Sequence, residues 1–422
     1  MHRKLVMVLV LLLGCWPVFY GLGEVPVITM LAEDHWAPGF NEALAKLVSE
    51  WAKAKGVEAR VDFIASRVAP SVMAAEAEAR KGHDIVYLYR FDPALYKGSL
   101  VPLNDLAQQL EEALGPWREV GRYLCEINGI WYGIPFFTYT WAANINVKHW
   151  AAVGLSVDEV GKLTWDEFLS YAEKLQSMGT PVACAISADY DSDAFLYPLL
   201  WSFGGKLVDA SGRIVADSAE VRAAFEYVRK LAKYMPKEIF GWTGSDNNML
   251  LLSGLCSWTI NPPTIYASAK VKGLPIAEDI SHVLPPKGPA GQFVATWDIA
   301  LGIWSFSPHI DLAKDLILFL MKPQNYRILV EASTGCNQPY LEGLAAYCAD
   351  FWAGIEPLRR LEPLAPTAYP FMWPAPPSSA TAMAIELHLL PVAVAKYVTG
   401  EATLDQAIAW LVFQLERLGF SK

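Results

Sequence analysis

The chain has 422 residues, 53% hydrophobic and 18% charged, which is too apolar for a disordered polymer and long enough for two domains that each bury a core. Its formal net charge of −10, without a basic tract, repels phosphate backbones and argues against a nucleic-acid partner. The six cysteines match no zinc or redox spacing, and there is no P-loop, HExxH or G-x-S-x-G sequence, so neither metal, cofactor nor catalytic residues are expected.

His2, Arg3 and Lys4 precede an apolar run from Leu5 to about Tyr20 that Pro17 interrupts. Gly21-Leu22-Gly23 then puts small residues where a signal peptidase reads them, so 1–23 is expected to be a secretory signal peptide. The run is short for a bilayer, and no later segment reads as apolar enough to span one. Leu12-Leu13-Gly14-Cys15 also resembles a lipobox, which leaves lipid anchoring through Cys15 as an alternative to plain cleavage. Cys336 and Cys348 are the only pair close in sequence, and an exported protein can bridge them. Cys125, Cys184 and Cys256 read as isolated buried thiols.

Val25 to Ala32 is an apolar run of strand length. From Pro38 to Lys55, Phe40, Leu44, Leu47, Val48 and Trp51 fall on one helical face, and Gly56 can end that helix. Val57 to Phe63 alternates like a strand, a second helix is expected near Ser71–Lys81, and His83 to Leu88 is another strand. The first ninety residues thus read β-α-β-α-β, the pattern of a largely parallel sheet covered by helices. Gly129 to Pro135 brackets aromatic and β-branched residues with glycines and a proline, as in a strand leaving one lobe for another. Thr164 and Glu167 have capping-box spacing. Ser218, Ser307-Pro308 and Thr403 start further helices, and no fixed-period repeat appears.

These landmarks, in this order, resemble the family 1 extracellular solute-binding proteins of ABC importers, the group that includes maltodextrin-binding protein. The resemblance is carried by His83-Asp84-Ile85-Val86, Leu100 to Leu106, Asn128 to Pro135, Leu163 to Phe168 and Phe203-Gly204-Gly205. It continues through Asp217-Ser218, Ser257 to Pro262, Leu284 to Pro289 and the helix at Asp311–Met321. It implies an α/β, two-lobed periplasmic-binding-protein type II fold with interlaced lobes and a hinge. Lobe 1 is expected over 24–136 and 299–362, and lobe 2 over 137–298 and 363–422. The chain is expected to cross near Pro135–Tyr139, Trp297–Gly302 and Pro363–Met372. Ala143-Asn144-Ile145-Asn146 departs from the aromatic-asparagine pair of many relatives, so the cleft floor is expected to differ.

A sugar presents weakly apolar ring faces and hydroxyl edges, so its site pairs flat aromatics with planar polar groups. The chain has 16 Trp and 18 Tyr, several just past strand ends that face the crevice of open α/β sheets. Asp34 and Trp36 follow the first strand, with Trp36 alternatively packing on its own helix. Tyr89, Arg90 and Phe91 follow the strand through Val86. Arg67 reads as a solvated arginine. Tyr139 and Trp141 lie past the first crossing, and Tyr190, Asp191 and Asp193 precede a helix that Asp193 can also cap. Trp258 and Asn261 match a strand and turn that present an aromatic in relatives, but Thr264 stands where that aromatic is expected. Trp297 and Asp298 sit at the second crossing, where Asp298 alternatively bonds hinge amides. Trp373 falls near a relative's aromatic platform.

The expectation is a monomeric, non-enzymatic receptor, in the periplasm or on the outer face of the cytoplasmic membrane. It would capture a small molecule, a carbohydrate by preference, and deliver it to the permease subunits of an ABC importer. A polyamine ligand would require several cleft carboxylates, and a phosphate ester clustered arginines. A glycan-degrading enzyme would require two opposed carboxylates, for which no motif stands.

Overall fold

A computed structural model of the chain describes residues 25–37, 39–361 and 368–422. The segment read as a signal peptide, with Cys15, lies outside the described residues, as does part of the third expected crossing.

Among the described residues ten strands occur in chain order: β1 (Val27–Glu33), β2 (Glu58–Ile64), β3 (Ile85–Tyr89), β4 (Glu126–Ile127), β5 (Ile130–Trp131), β6 (Ile134–Asn146), β7 (Trp258–Asn261), β8 (Ile280–Val283), β9 (Val294–Ile303) and β10 (Ala368–Pro370). The β-α-β-α-β reading holds. β1 pairs parallel with β2 and with β3, through the helices Phe40–Lys55 and Ala69–Ala79. The first helix buries Phe40, Leu44, Leu47, Val48 and Trp51, and ends at Gly56, whose φ of 69° suits a residue without Cβ. Capping boxes at Thr164/Glu167 and Thr403/Gln406 fix two helix starts, and Ser218 accepts from the Val221 amide at a third.

The lobes are joined by sheet. β9 runs antiparallel to β3 from Ile85↔Ile303 to Tyr89↔Ile299. It also runs antiparallel to β6 from Ile134↔Leu301 to Trp141↔Ala295. β6 then continues into the second lobe, pairing with β7 from Ala142↔Asn261 and with β8 from Ala143↔Val283. β10 adds a third strand beside β9 at Ala368↔Val294. All thirteen residues of β6 are buried, so the connection is packed structure rather than a tether. Asn144, in the segment expected to depart from relatives, is buried and donates to the Asn261 carbonyl at 2.7 Å, tying β6 to β7.

Two expectations need correction. Cys336 and Cys348 are both buried free thiols, so the bridge does not form; both sit within the packed core, where burial suppresses thiolate chemistry. The stretch Ser379–Thr399 is long and apolar enough to cross a membrane by composition, contrary to the sequence reading. It is broken at His388, whose φ is 47°, and its two halves, Ser379–Glu386 and Leu389–Thr399, bury Ile385, Leu389, Leu390 and Val394 in the core. An apolar helix pair of that kind is what a large core selects.

Candidate functional site

Side chains alternate across a strand, and in β6 and β9 that alternation sorts residues onto two faces of the lobe junction. Tyr139 and Trp141 of β6 and Trp297 of β9 share one face, with the Trp141 and Trp297 ring centres 6.3 Å apart. Thr138, Thr140 and Thr296 share the other. The first face floors a cleft that opens to solvent on one side. Its walls come from both sides of the junction. Glu33, Trp36, Ser66 and Arg67 follow β1 and β2, and Asp189, Tyr190, Asp191, Asn248, Asn261 and Thr264 face them.

The aromatic side chains give this cavity flat apolar surfaces and polar edges without partners. Tyr139 Oη, Trp141 Nε1, Trp297 Nε1 and Glu33 Oε2 are buried without a hydrogen bond of normal geometry, and the Trp297 indole lies near enough to the Glu33 carboxyl to help hold its charge. Buried polar atoms in native proteins are nearly always paired, so four such atoms on residues lining one cavity fit a site for a hydrogen-bonding ligand. Burial raises the Glu33 carboxyl to about 8, and it raises Asp191 well above the usual carboxylate range, with neighbouring Asp189 adding to the effect.

Asp189 closes the far wall. Its Oδ1 caps the helix Tyr190–Ser202 by accepting from the Asp191 amide, and its Oδ2 accepts from Arg67 Nη2 at 2.8 Å, an ion pair across the mouth. Asn261 is held by Thr264 Oγ1, which donates to its Oδ1 at 3.0 Å, while its Nδ2 donates to Asn248 and Asp191. Behind the floor, the chain leaves β3 with Arg90 in the left-handed region at φ 46°. That turn puts the Arg90 guanidinium between the rings of Tyr190 and Trp297, 4.5 and 4.4 Å from their centres. Arg90 Nη2 donates to Glu386 Oε1 at 2.7 Å, and Tyr190 Oη donates to Glu386 Oε2 at 2.7 Å. This buried stack fixes the orientation of two cavity-lining rings.

Of the residues expected from sequence, Trp36, Tyr139, Trp141, Tyr190, Asn261 and Trp297 line the cavity. Trp36 is 49% exposed at its rim, not packed away on its helix. Tyr89 and Arg90 lie directly behind, with Tyr89 edge-on to Trp297 at 5.9 Å. The others do not reach it. Asp34 points outward and accepts from Asn41 Nδ2 at 2.6 Å; its neighbour Glu33 has the inward parity. Phe91 is core, edge-on to Tyr123. Asp193 is fully buried within its helix and accepts or shares a proton with His388 Nδ1 at 2.6 Å. Trp258 packs between Phe168 and Phe195. Asp298 takes the opposite parity to Trp297 and accepts from Thr138 at 2.9 Å, Thr296 at 2.6 Å and Tyr340. Trp373 stacks on Tyr369 at 4.1 Å along a groove behind the junction, on the Thr138 face.

Sequence reasoning missed Glu33, Asp189 and Asn248; Arg67 is half exposed, in keeping with a solvated arginine, and also pairs with Asp189. The acidic pair Glu33-Asp34 at a strand end was a usable signal, since strand parity allows only one of them inward. The Arg67–Asp189 pairing spans distant segments and leaves no local trace.

The fold is widely shared among solved structures. Maltose-bound MalE3 of T. maritima superposes with a TM-score of 0.81 at 20% identity, covering 93% of this chain and 99% of that one. A sugar transporter protein of Arthrobacter chlorophenolicus A6 with bound laminaribiose gives 0.80 at 12% identity, covering 93% and 99%. The Thermus thermophilus maltotriose-binding protein gives 0.74 at 16%, covering 92% and 99%. A sequence comparison with curated proteins gave no match. The sequence model for the bacterial extracellular solute-binding proteins matches residues 37–327, well over half of the chain, and the protein described here belongs to that family.

Proposed function

We propose that the protein is the receptor of an ABC importer, and that it captures a saccharide in the cavity floored by Tyr139, Trp141 and Trp297. The observation that carries this reading is the combination of three flat aromatic faces with four unpartnered polar edges around one cavity. Ring faces of a sugar stack on such surfaces, and its hydroxyls both donate to Glu33 and accept from the indole N–H groups. Similar structures carrying maltose, laminaribiose and maltotriose favour the same ligand class.

Ligand that touches both walls favours the closed arrangement over the open one, and the closed complex then docks on the permease. On this reading the lobes divide at 136/137, 298/299 and 362/363. The protein acts as a monomer, without turnover, outside the cytoplasmic membrane after cleavage of residues 1–23 or lipidation at Cys15. Intrinsic tryptophan fluorescence and calorimetry against mono-, di- and oligosaccharides, with polyamines and phosphate esters alongside, tests it. A saturable response to sugars with unchanged sugar recovered afterwards is expected. A response to phosphate esters alone would remove the saccharide reading.

A further inference from the structure

The charge lining the cavity is lopsided. Three carboxylates, Glu33, Asp189 and Asp191, face one guanidinium, that of Arg67, which is already bonded to Asp189. An anionic ligand finds no unpaired cation among these side chains. Glu33 is the exceptional member, since it is buried, Oε2 has no partner, and among the described residues it makes no ion pair.

The groups that bear on Glu33 offset its burial only in part: the Trp297 indole N–H is a neutral donor directed toward the carboxyl. Arg90, the nearest cation, is held by Glu386 and by the two rings that flank it. Asp34 adds a second negative charge from the adjoining position. Tyr87, Tyr89 and Tyr139 are neutral phenols whose ionisation burial suppresses. Around the same space stand Tyr139 and Trp141, whose π-faces attract a cation most strongly when water is excluded. A buried carboxyl that forms no ion pair among the described residues, walled by aromatic rings, has the chemistry of an ammonium seat.

From this arrangement we propose that the ligand carries a protonated amine seated against Glu33. Given the saccharide reading above, on which this rests, the ligand is an amino sugar.

The seat has a proton signature. In the empty cleft, burial keeps the Glu33 carboxyl protonated up to about 8. An arriving ammonium stabilises the carboxylate, so the proton leaves to solvent as the ligand binds. A neutral sugar leaves the proton on Glu33, where the carboxyl acts as a donor.

Isothermal titration calorimetry in buffers of different ionisation enthalpy, at about pH 6.5, counts that proton directly. The probes are D-glucosamine, N-acetyl-D-glucosamine and D-glucose, each as mono- and disaccharide, with putrescine and tetramethylammonium alongside. The expected result is at least about tenfold tighter binding of the free-amine sugars than of their acetylated or neutral counterparts, with close to one proton released. Glu33→Gln is expected to abolish both the preference and the release. If that variant does not fold, the proton count on the unaltered protein decides. Amino sugars binding no tighter than glucose, with no proton released, would overturn this inference and leave the saccharide receptor standing. Binding of the amines with every sugar silent would support the ammonium seat and overturn the saccharide reading. Silence of all probes would overturn both.

Discussion

Arg90 and Glu386 offer the sharpest test of how the cleft is supported. Their side chains are only 4% and 24% exposed, and the 2.7 Å pair joins the end of β3 to the helix Ser379–Glu386. Removing one partner of a buried pair costs ~3–5 kcal/mol, because the other charge is left without compensation. Replacing Arg90 also forfeits two desolvated cation–π contacts, each worth up to ~2 kcal/mol. Glutamine at 386 still offers an amide-oxygen acceptor to Arg90 and Tyr190, which softens the loss of the Glu386 charge. We therefore expect Arg90→Met to destabilise by roughly 3–4 kcal/mol and Glu386→Gln by roughly 1–2 kcal/mol. The double variant is expected to lose about 1–2 kcal/mol less than the sum. Methionine keeps a Cβ at the left-handed position, so backbone relief does not confound the comparison. Urea unfolding followed by far-ultraviolet circular dichroism gives the cycle. An Arg90→Met loss below about 0.5 kcal/mol, or strictly additive losses, would refute the idea that the pair and its stack act as one buried unit.

Glu33 should leave a pH trace in the empty protein. Its folded pKa of about 8 exceeds the unfolded value of 4.5, so the folded state holds a proton that the unfolded state releases, and stability falls as pH rises through that window. Glu33→Gln is expected to be more stable than the parent by on the order of 4 kcal/mol above pH 8, with the advantage vanishing below 4.5; a constant difference would contradict the assignment. The rim and core tryptophans should separate cleanly. Trp36→Ala is expected to weaken ligand binding about tenfold with stability within ~0.5 kcal/mol, whereas Trp258→Ala should cost ~3–5 kcal/mol, as calorimetry and denaturation will report. Asp298→Ala strands three buried hydroxyls and should cost at least ~3 kcal/mol while the folded fraction binds ligand normally, a result that titration of the folded protein checks. Arg67→Ala should change stability by less than ~1 kcal/mol, since Arg67 is 52% exposed, yet increase the radius of gyration of the ligand-free protein in small-angle scattering by releasing the clasp to Asp189.

Much of the architecture was legible because it is local. Apolar periodicity located β1, its helix and β2 to within two or three residues, and Thr164/Glu167 and Thr403/Gln406 announced helix starts through hydrogen bonds made within one turn. The site was less legible, for two physical reasons. Strand parity turns on a single residue, so residue type alone does not tell Asp34 from Glu33 or Asp298 from Trp297, and it is Glu33 and Trp297 that line the cavity. Large aromatics serve core and cleft with the same composition. Trp258 sits among Phe168 and Phe195, and Trp373 lies on the far side of the junction, for reasons that only the packing of distant segments decides.

The interlacing of β6 and β9 also sets the order in which the molecule can be made. β3 has β1 on one flank, but its other partner is β9, so Ile85 waits for Ile303. The cavity floor likewise waits, since Tyr139 and Trp141 lie opposite Trp297 and Ala295. During synthesis the first lobe therefore lacks its central sheet until most of the polypeptide has emerged, and contacts of such long sequence separation form slowly. A truncated chain ending before β9 keeps the β1, β2 and β3 pairings but lacks the strand that joins them to β6.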